Sequence, residues 1–215
     1  MSDLDLYTNQ VVPQEARERL AANLKGVLPV SETTVLHQKA EGVNSIIQLA
    51  LEASEWVTPL KAAATYFVYQ VGKGVASFSR QIGKRAAEAA IDRWVKVDTF
   101  DQKSDDTPLR KVAKALAEAA DATEDRTQVR IGLPIPDDFM SCCVQLEDPS
   151  EEEIALVISL FVLQAEEIER TLKSAEKDHD ILGPVDLRLR EDGRFEARWK
   201  DQQFNEHQAT IGEAT

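Results

Sequence analysis

Cysteine and histidine are scarce in this chain of 215 residues, two of the first and three of the second, and the scarcity removes whole classes of chemistry. The cysteines are adjacent, Cys142 and Cys143. Successive residues of a strand point to opposite faces, so these two do not meet, and a single pair makes no disulfide framework. They read as small buried thiols. His37, His179 and His207 have no ligand-type neighbour at a metal-binding spacing, and HExxH, CxxC and EF-hand patterns are missing. So are GxxxxGK(S/T), GxGxxG and the GxSxG elbow. Gly72-Lys73-Gly74 has neither the preceding strand nor the spacing that would cradle phosphate. No cofactor, metal or assembled catalytic set is therefore expected. Asp137 and Asp138 lie at one end of a predicted strand and Glu147 and Asp148 at the other, so they read as turn and cap residues. A hydrolase or nuclease using Asp137, Asp138 and a distant acid is the third-ranked reading.

Long hydrophobic runs are missing too. Neither the eleven uncharged residues between Lys61 and Lys73 nor the twelve between Glu153 and Glu166 approach the ~20 that span a bilayer. Met1-Ser2-Asp3-Leu4-Asp5 lacks the basic and apolar regions of a secretory leader, and a cytoplasmic protein is expected. A surplus of positive charge is absent as well: the net charge of −13 argues against nucleic acid as a partner.

What the chain does contain is a hydrophobic fraction of 43%, enough for a core, and a charge asymmetry. Residues 1–97 hold 11 basic and 10 acidic side chains; residues 98–215 hold 14 and 28. The layout expected is α+β: an N-terminal helical bundle or hairpin followed by an αββαββ module with a four-stranded, mostly antiparallel sheet. The boundaries are a disordered start at 1–12, a helical region at 13–97, a linker at 98–106, an acidic α+β domain at 107–200 and a disordered tail at 201–215.

In the first region Pro13 suits a helix start, with Ala16, Leu20, Leu24 and Val27 at helical spacing before Pro29. Ser31 caps a second predicted helix, with Leu36, Ala40, Val43, Ile47 and Ala50 on one face, ending near Trp56. Thr58-Pro59 opens a third and longest one, about 60–96. Its large apolar residues recur in steps of three and four, and beside them runs a ribbon of small ones, Gly72, Ala76, Ser79, Gly83, Ala87 and Ala90. Glycine inside a helix costs roughly 1 kcal/mol against alanine, and close approach of a second helix would offset that. The same helix carries Lys73, Arg80, Lys84 and Arg85, with Tyr66, Phe67, Tyr69 and Trp94, a composition that also suits membrane or anion contact.

In the second region Thr107 and Pro108 begin a helix, and Val129, Ile131 and Leu133, then Met140, Cys142, Val144 and Leu146, alternate as two strands. Asp148-Pro149-Ser150-Glu151 caps a helix over about 149–177. Its Ile154, Val157, Ile158, Phe161, Ala165, Ile168 and Leu172 form one apolar face, and Leu156, Leu160 and Leu163 add a second. An arc that wide implies burial on two sides. The final hairpin has a derivable register. A three-residue loop, Glu191-Asp192-Gly193 with a left-handed glycine, pairs Leu189 with Phe195, Leu187 with Ala197 and Val185 with Trp199. It also sets Arg188 against Glu196 and Asp186 against Arg198, both opposite in charge.

The architecture, a helical piece plus a small α+β module, is similar to that of accessory components of bacterial regulatory or defence operons, a likeness of layout that implies no site. The function expected is a non-catalytic interaction or regulatory protein, with a protein partner or homo-oligomer assembled through Gly72, Ala76, Gly83, Ala87, Leu156, Leu160 and Leu163. The alternative is a membrane-active effector whose 60–96 helix, through Lys73, Arg80, Lys84 and Arg85, is masked by the acidic half.

Overall fold

Ser150 caps the longest helix of the molecule: its Oγ accepts the Glu153 backbone N–H at 3.3 Å, while the Glu153 carboxylate accepts the Ser150 N–H at 3.0 Å. This reciprocal box starts the helix two residues later than Asp148 would. Asp148 instead has a left-handed φ of 44° and its Oδ1 accepts the Thr127 N–H at 2.8 Å. Thr107 caps its helix as expected, accepting the Arg110 N–H at 3.3 Å, with Pro108 at the first helical position.

The computed structural model describes residues 5–9, 11–25, 27, 34–36, 45–50, 53–73, 81–94, 107–123, 126–135, 138–179 and 181–212. Among them the order is β1 (Asp5–Asn9), α1 (Gln14–Lys25), β2 (Thr34–Leu36), β3 (Ser45–Ala50), α2 (Ala53–Gly72), α3 (Gln81–Trp94), α4 (Pro108–Asp121), β4 (Thr127–Ile135), β5 (Asp138–Glu147), α5 (Glu151–His179), β6 (Ile181–Leu189), β7 (Phe195–Asp201) and β8 (Glu206–Thr210). The fold is mixed helix and sheet, as expected, but the sheet is larger than the four antiparallel strands read from the sequence. Among the described residues it has eight strands in the order β2-β1-β3-β4-β5-β6-β7-β8, with parallel pairs β1–β2, β3–β4 and β5–β6.

Three expectations about the first half change. Residues 5–9 are not frayed but form β1. The helix expected over 31–56 is replaced by β2, β3 and the start of α2. All six residues of β3 are buried, on both faces, and a strand buried on both faces reads as an apolar run rather than an alternation. Pairing with β1 and β4 decides its state, Ser45 through Ala50 lying opposite Thr127 through Gly132. The single helix over 60–96 is two helices, α2 and α3. The expected linker at 98–106 lies outside the described residues.

In the second half the strands and their alternation hold. Val129, Ile131, Cys142, Val144, Val185, Leu187, Phe195 and Ala197 are buried on one face, against α4 and α5. The hairpin register is as derived: Leu189–Phe195, Leu187–Ala197, Arg188–Glu196 and Asp186–Arg198 are paired, and Gly193 has φ +78°. The ladder shifts between Leu182 and Asp186, so the expected Val185–Trp199 pair falls within the irregular stretch. The tail expected to be disordered forms a turn and β8. The Asp201 carboxylate organises that turn, accepting the backbone N–H groups of Gln203 and Asn205, both at 2.9 Å, and the Asn205 side chain at 3.0 Å. It also lies 2.9 Å from His207 Nε2, and the His207 ring stacks on Trp199.

The helix layer depends on α5. From Glu153 to Ala165 none of its residues is exposed to solvent, because α2, α4 and the sheet pack around it. Buried Gln164 ties α5 to the last hairpin, donating from Nε2 to the Gly193 carbonyl at 2.8 Å and accepting the Phe195 N–H at Oε1, 3.3 Å away. The Arg110 guanidinium lies 4.7 Å from the Phe67 ring centroid and 3.6 Å from Glu151, joining α2, α4 and α5.

Two predictions follow from these contacts. Gln164→Ala strands a buried carbonyl and a buried N–H, at about 1–3 kcal/mol each, so its urea midpoint should fall well below that of the parent chain. Bonds from His207 first, then Asn205, hold the Asp201 carboxyl far below the usual carboxylate range. A depressed folded-state pKa contributes stability that is fully present above the unfolded value of about 4 and is lost as pH falls below it. Asp201→Asn should therefore lower stability near neutral pH, and chemical denaturation should show the gap to the parent chain closing as pH drops from about 5 to about 2.

Candidate functional site

The small residues expected to receive a partner are used inside the molecule. A Cβ placed on Gly72 would lie 2.5 Å from Ile91 Cδ1 and 3.0 Å from the Ala87 carbonyl oxygen. Gly72 in α2 is thus the point where α3 comes closest, and Ala87 is buried there. The physical reason given for the ribbon, close helix approach, holds, but the second helix is the continuation of the first. On its other side α3 lies against the last hairpin: a Cβ on Gly193 would stand 2.6 Å from the Ala86 carbonyl oxygen. Leu160 and Leu163 are buried in the α5 interface described above. Ala76 and Arg80 lie outside the described residues.

Of the seven candidates, Gly83 and Leu156 meet at an open site. A cleft of about 410 Å³ is lined by Gly83 of α3, by Glu153, Leu156 and Val157 of α5, and by Val144, Gln145, Leu146, Asp186, Leu187, Arg188 and Leu189 of β5 and β6. Its origin is visible in the pairing. The β5–β6 ladder covers Cys142–Val185, Cys143–Asp186 and Val144–Leu187 and then stops, although both strands run on. Past that point the two strands are no longer paired, and residues of both faces line the cleft. It opens at the carboxyl ends of two parallel strands. Leu146 and Leu189 are half-buried on its floor. Its charged groups are Glu153, whose carboxylate is engaged by the Ser150 N–H, and Asp186 and Arg188, paired at 2.8 Å.

A second concentration of polar groups lies on the sheet face away from the helices, where Gln48, Arg130 and Gln145 share one row and Gly132, Cys143 and Asp186 the next. Arg130 Nε donates to Gln128 at 2.5 Å, and the buried Gln48 Oε1 has no hydrogen-bond partner among the described residues. Cys142 and Cys143 are both free and buried. Burial pushes both thiol pKa values up, Arg130 opposing the shift at Cys143, so neither is an activated nucleophile.

The cations expected to meet a membrane are at the surface: Lys73, Lys84 and Arg85 are exposed. Arg85 bonds Glu191 of the acidic half at 2.9 Å, a pair more than half exposed on both sides and so of small weight. The apolar faces of α2 and α3 are buried, and among the described residues no helix is long and apolar enough to cross a membrane. Asp137 lies outside the described residues; Asp138 pairs with Ile135 at the β4–β5 turn. Among the described residues no three His, Cys, Asp or Glu side chains are grouped to hold a metal ion.

The cleft-forming residues Leu146, Leu187 and Leu189 were legible only as ordinary strand positions, since nothing in one sequence marks where a parallel ladder ends. The structural role of the α5 face can be measured: Leu160→Ala should cost about 2–5 kcal/mol of stability, read by urea denaturation, while light scattering shows no change in oligomeric state. Compared with protein-family models, curated proteins and solved structures, the chain matches none, and the geometry above is what bears on function.

Proposed function

We propose that this chain is a non-catalytic interaction protein of regulatory type, which takes an extended apolar segment of a protein partner into the cleft between α3, α5 and the unpaired ends of β5 and β6. The observation that carries the reading is the cleft itself: an apolar floor bounded by two strands whose ladder has ended, so that side-chain pockets and main-chain hydrogen-bonding groups face the same space. Recognition of an extended segment needs both, main-chain bonds for affinity and alternate pockets for selectivity. Charge narrows the partner. A chain of net −13, with most of its acidic excess after residue 97, favours encounter with a basic segment.

Phage-displayed random peptides selected against the full chain are the test. Enriched sequences should carry two or more large apolar residues beside Lys or Arg. Leu189→Glu, which sets a charge on the cleft floor, should abolish their binding with the circular dichroism spectrum retained. A selection that enriches nothing would sink the reading, as would peptides that bind Leu189→Glu and Leu146→Glu as tightly as the parent.

A further inference from the structure

The last strand ends the sheet: among the described residues β8 has β7 as its single strand neighbour. Which of its main-chain groups face outward can be derived. The Ile211 N–H donates to the Phe195 carbonyl at 2.8 Å, and the Asp201 N–H to the Asn205 carbonyl at 3.1 Å. In an antiparallel ladder hydrogen-bonded pairs alternate with non-bonded ones. The register of β7 on β8 is unbroken, so residues 205, 207, 209 and 211 bond inward to β7. Glu206, Gln208 and Thr210 therefore turn their N–H and C=O groups to the open edge.

Edge strands are normally protected by charged side chains, lysine above all, by proline, a bulge or brevity. β8 carries one exposed charge, Glu206, but no lysine, proline or glycine and no register shift against β7. The opposite edge, β2, is only three residues long. Beside β8 stands Phe204, 71% exposed and with a left-handed φ of 63°, a large apolar side chain that contributes little to its own fold.

We infer that β8 is a dimerisation edge: two copies of the chain pair their β8 strands antiparallel about a two-fold axis at Gln208, joining two eight-stranded sheets into one. The occupant is a second copy because the edge is complementary to itself. With the axis at Gln208 the outward-facing residues bond one another, Glu206 to Thr210 of the second copy, Gln208 to Gln208 and Thr210 to Glu206. His207 then lies opposite Ala209. No like charges face each other, which matters because directly opposed like charges destabilise a strand pair. Moving the axis to Glu206 would oppose two glutamates and shorten the overlap. The Gln208 register also brings Phe204 to the level of Gly212 of the second copy, where an aromatic ring can cover a glycine at a sheet edge. An isologous contact of this kind closes on itself and stops at two. The inference is independent of the cleft, which lies between β5 and β6.

The test is the mass of the full chain by light scattering and sedimentation across a concentration series. The expected result is a concentration-dependent doubling of 23.9 kDa, favoured by added salt because two chains of net −13 repel. Gln208→Pro removes an N–H that faces away from β7, so the fold should persist while the dissociation constant rises at least roughly tenfold. Gln208→Lys, which opposes two cations, should weaken the dimer similarly and keep the fold should the proline not. Hydrogen exchange gives the register: the amides of Glu206, Gln208 and Thr210 should become protected as the dimer forms, while those of His207 and Ala209 are protected throughout. A constant monomer mass overturns the inference. So does a dimer that both variants leave unchanged, or one that forms without protecting those three amides; either would place the contact elsewhere.

Discussion

One helix has to be covered on two sides, and most of the architecture follows from that requirement. Between Glu153 and Ala165, α5 offers solvent no exposed position. A helix apolar over so much of its circumference is stable in water only inside a layer. The sheet, α4 and α2 together cover it, and α2 brings α3 with it through the close contact at Gly72. The α3 backbone then limits how near the β6–β7 turn can stand, which is where Gly193 is needed, and Gln164 of α5 bonds that same turn. A burial requirement on one element thus sets the position of three others.

The free surfaces are set by where strand pairing ends. The β5–β6 ladder stops at Val144–Leu187 and leaves a cleft; the sheet stops at β8 and leaves an edge. In both places main-chain groups are available beside apolar side chains. The two thiols are held neutral by burial.

Local signals carried the second half of the chain. Strand alternation in β4, β5, β6 and β7, the Thr107 cap and the opposite-charge pairs of the last hairpin each have a period or an offset that a single sequence displays, and the pairs agree with the ladder residue by residue. The double-sided burial of Leu156, Leu160 and Leu163 was legible too, but not its partner: nothing in the arc says whether α2 of the same chain or a second protein fills it. The first half failed where state is decided at a distance. Ile46, Ile47 and Leu49 fit a helix face as well as a strand, and only β1 and β4 on either side make them a strand. The small ribbon was continuous in spacing across α2 and α3, so periodicity could not reveal that its two parts pack on each other. The tail was misread because the feature that orders it is one carboxylate, Asp201, bonding four groups within the next six residues, a pattern without periodicity.

The parallel pairing of β3 with β4 ties the two halves together in time as well as in space. A ribosome releases β3 long before β4, and a parallel neighbour cannot be supplied by a tight turn. Until β4 arrives, β3 has no ladder on that side. Loop closure over the intervening helices must come first, which places this fold among those whose long-range contacts make assembly slow. The same seam implies that mechanical or proteolytic separation between α3 and α4 would not yield two independent bodies, but two half-sheets with matching wounds.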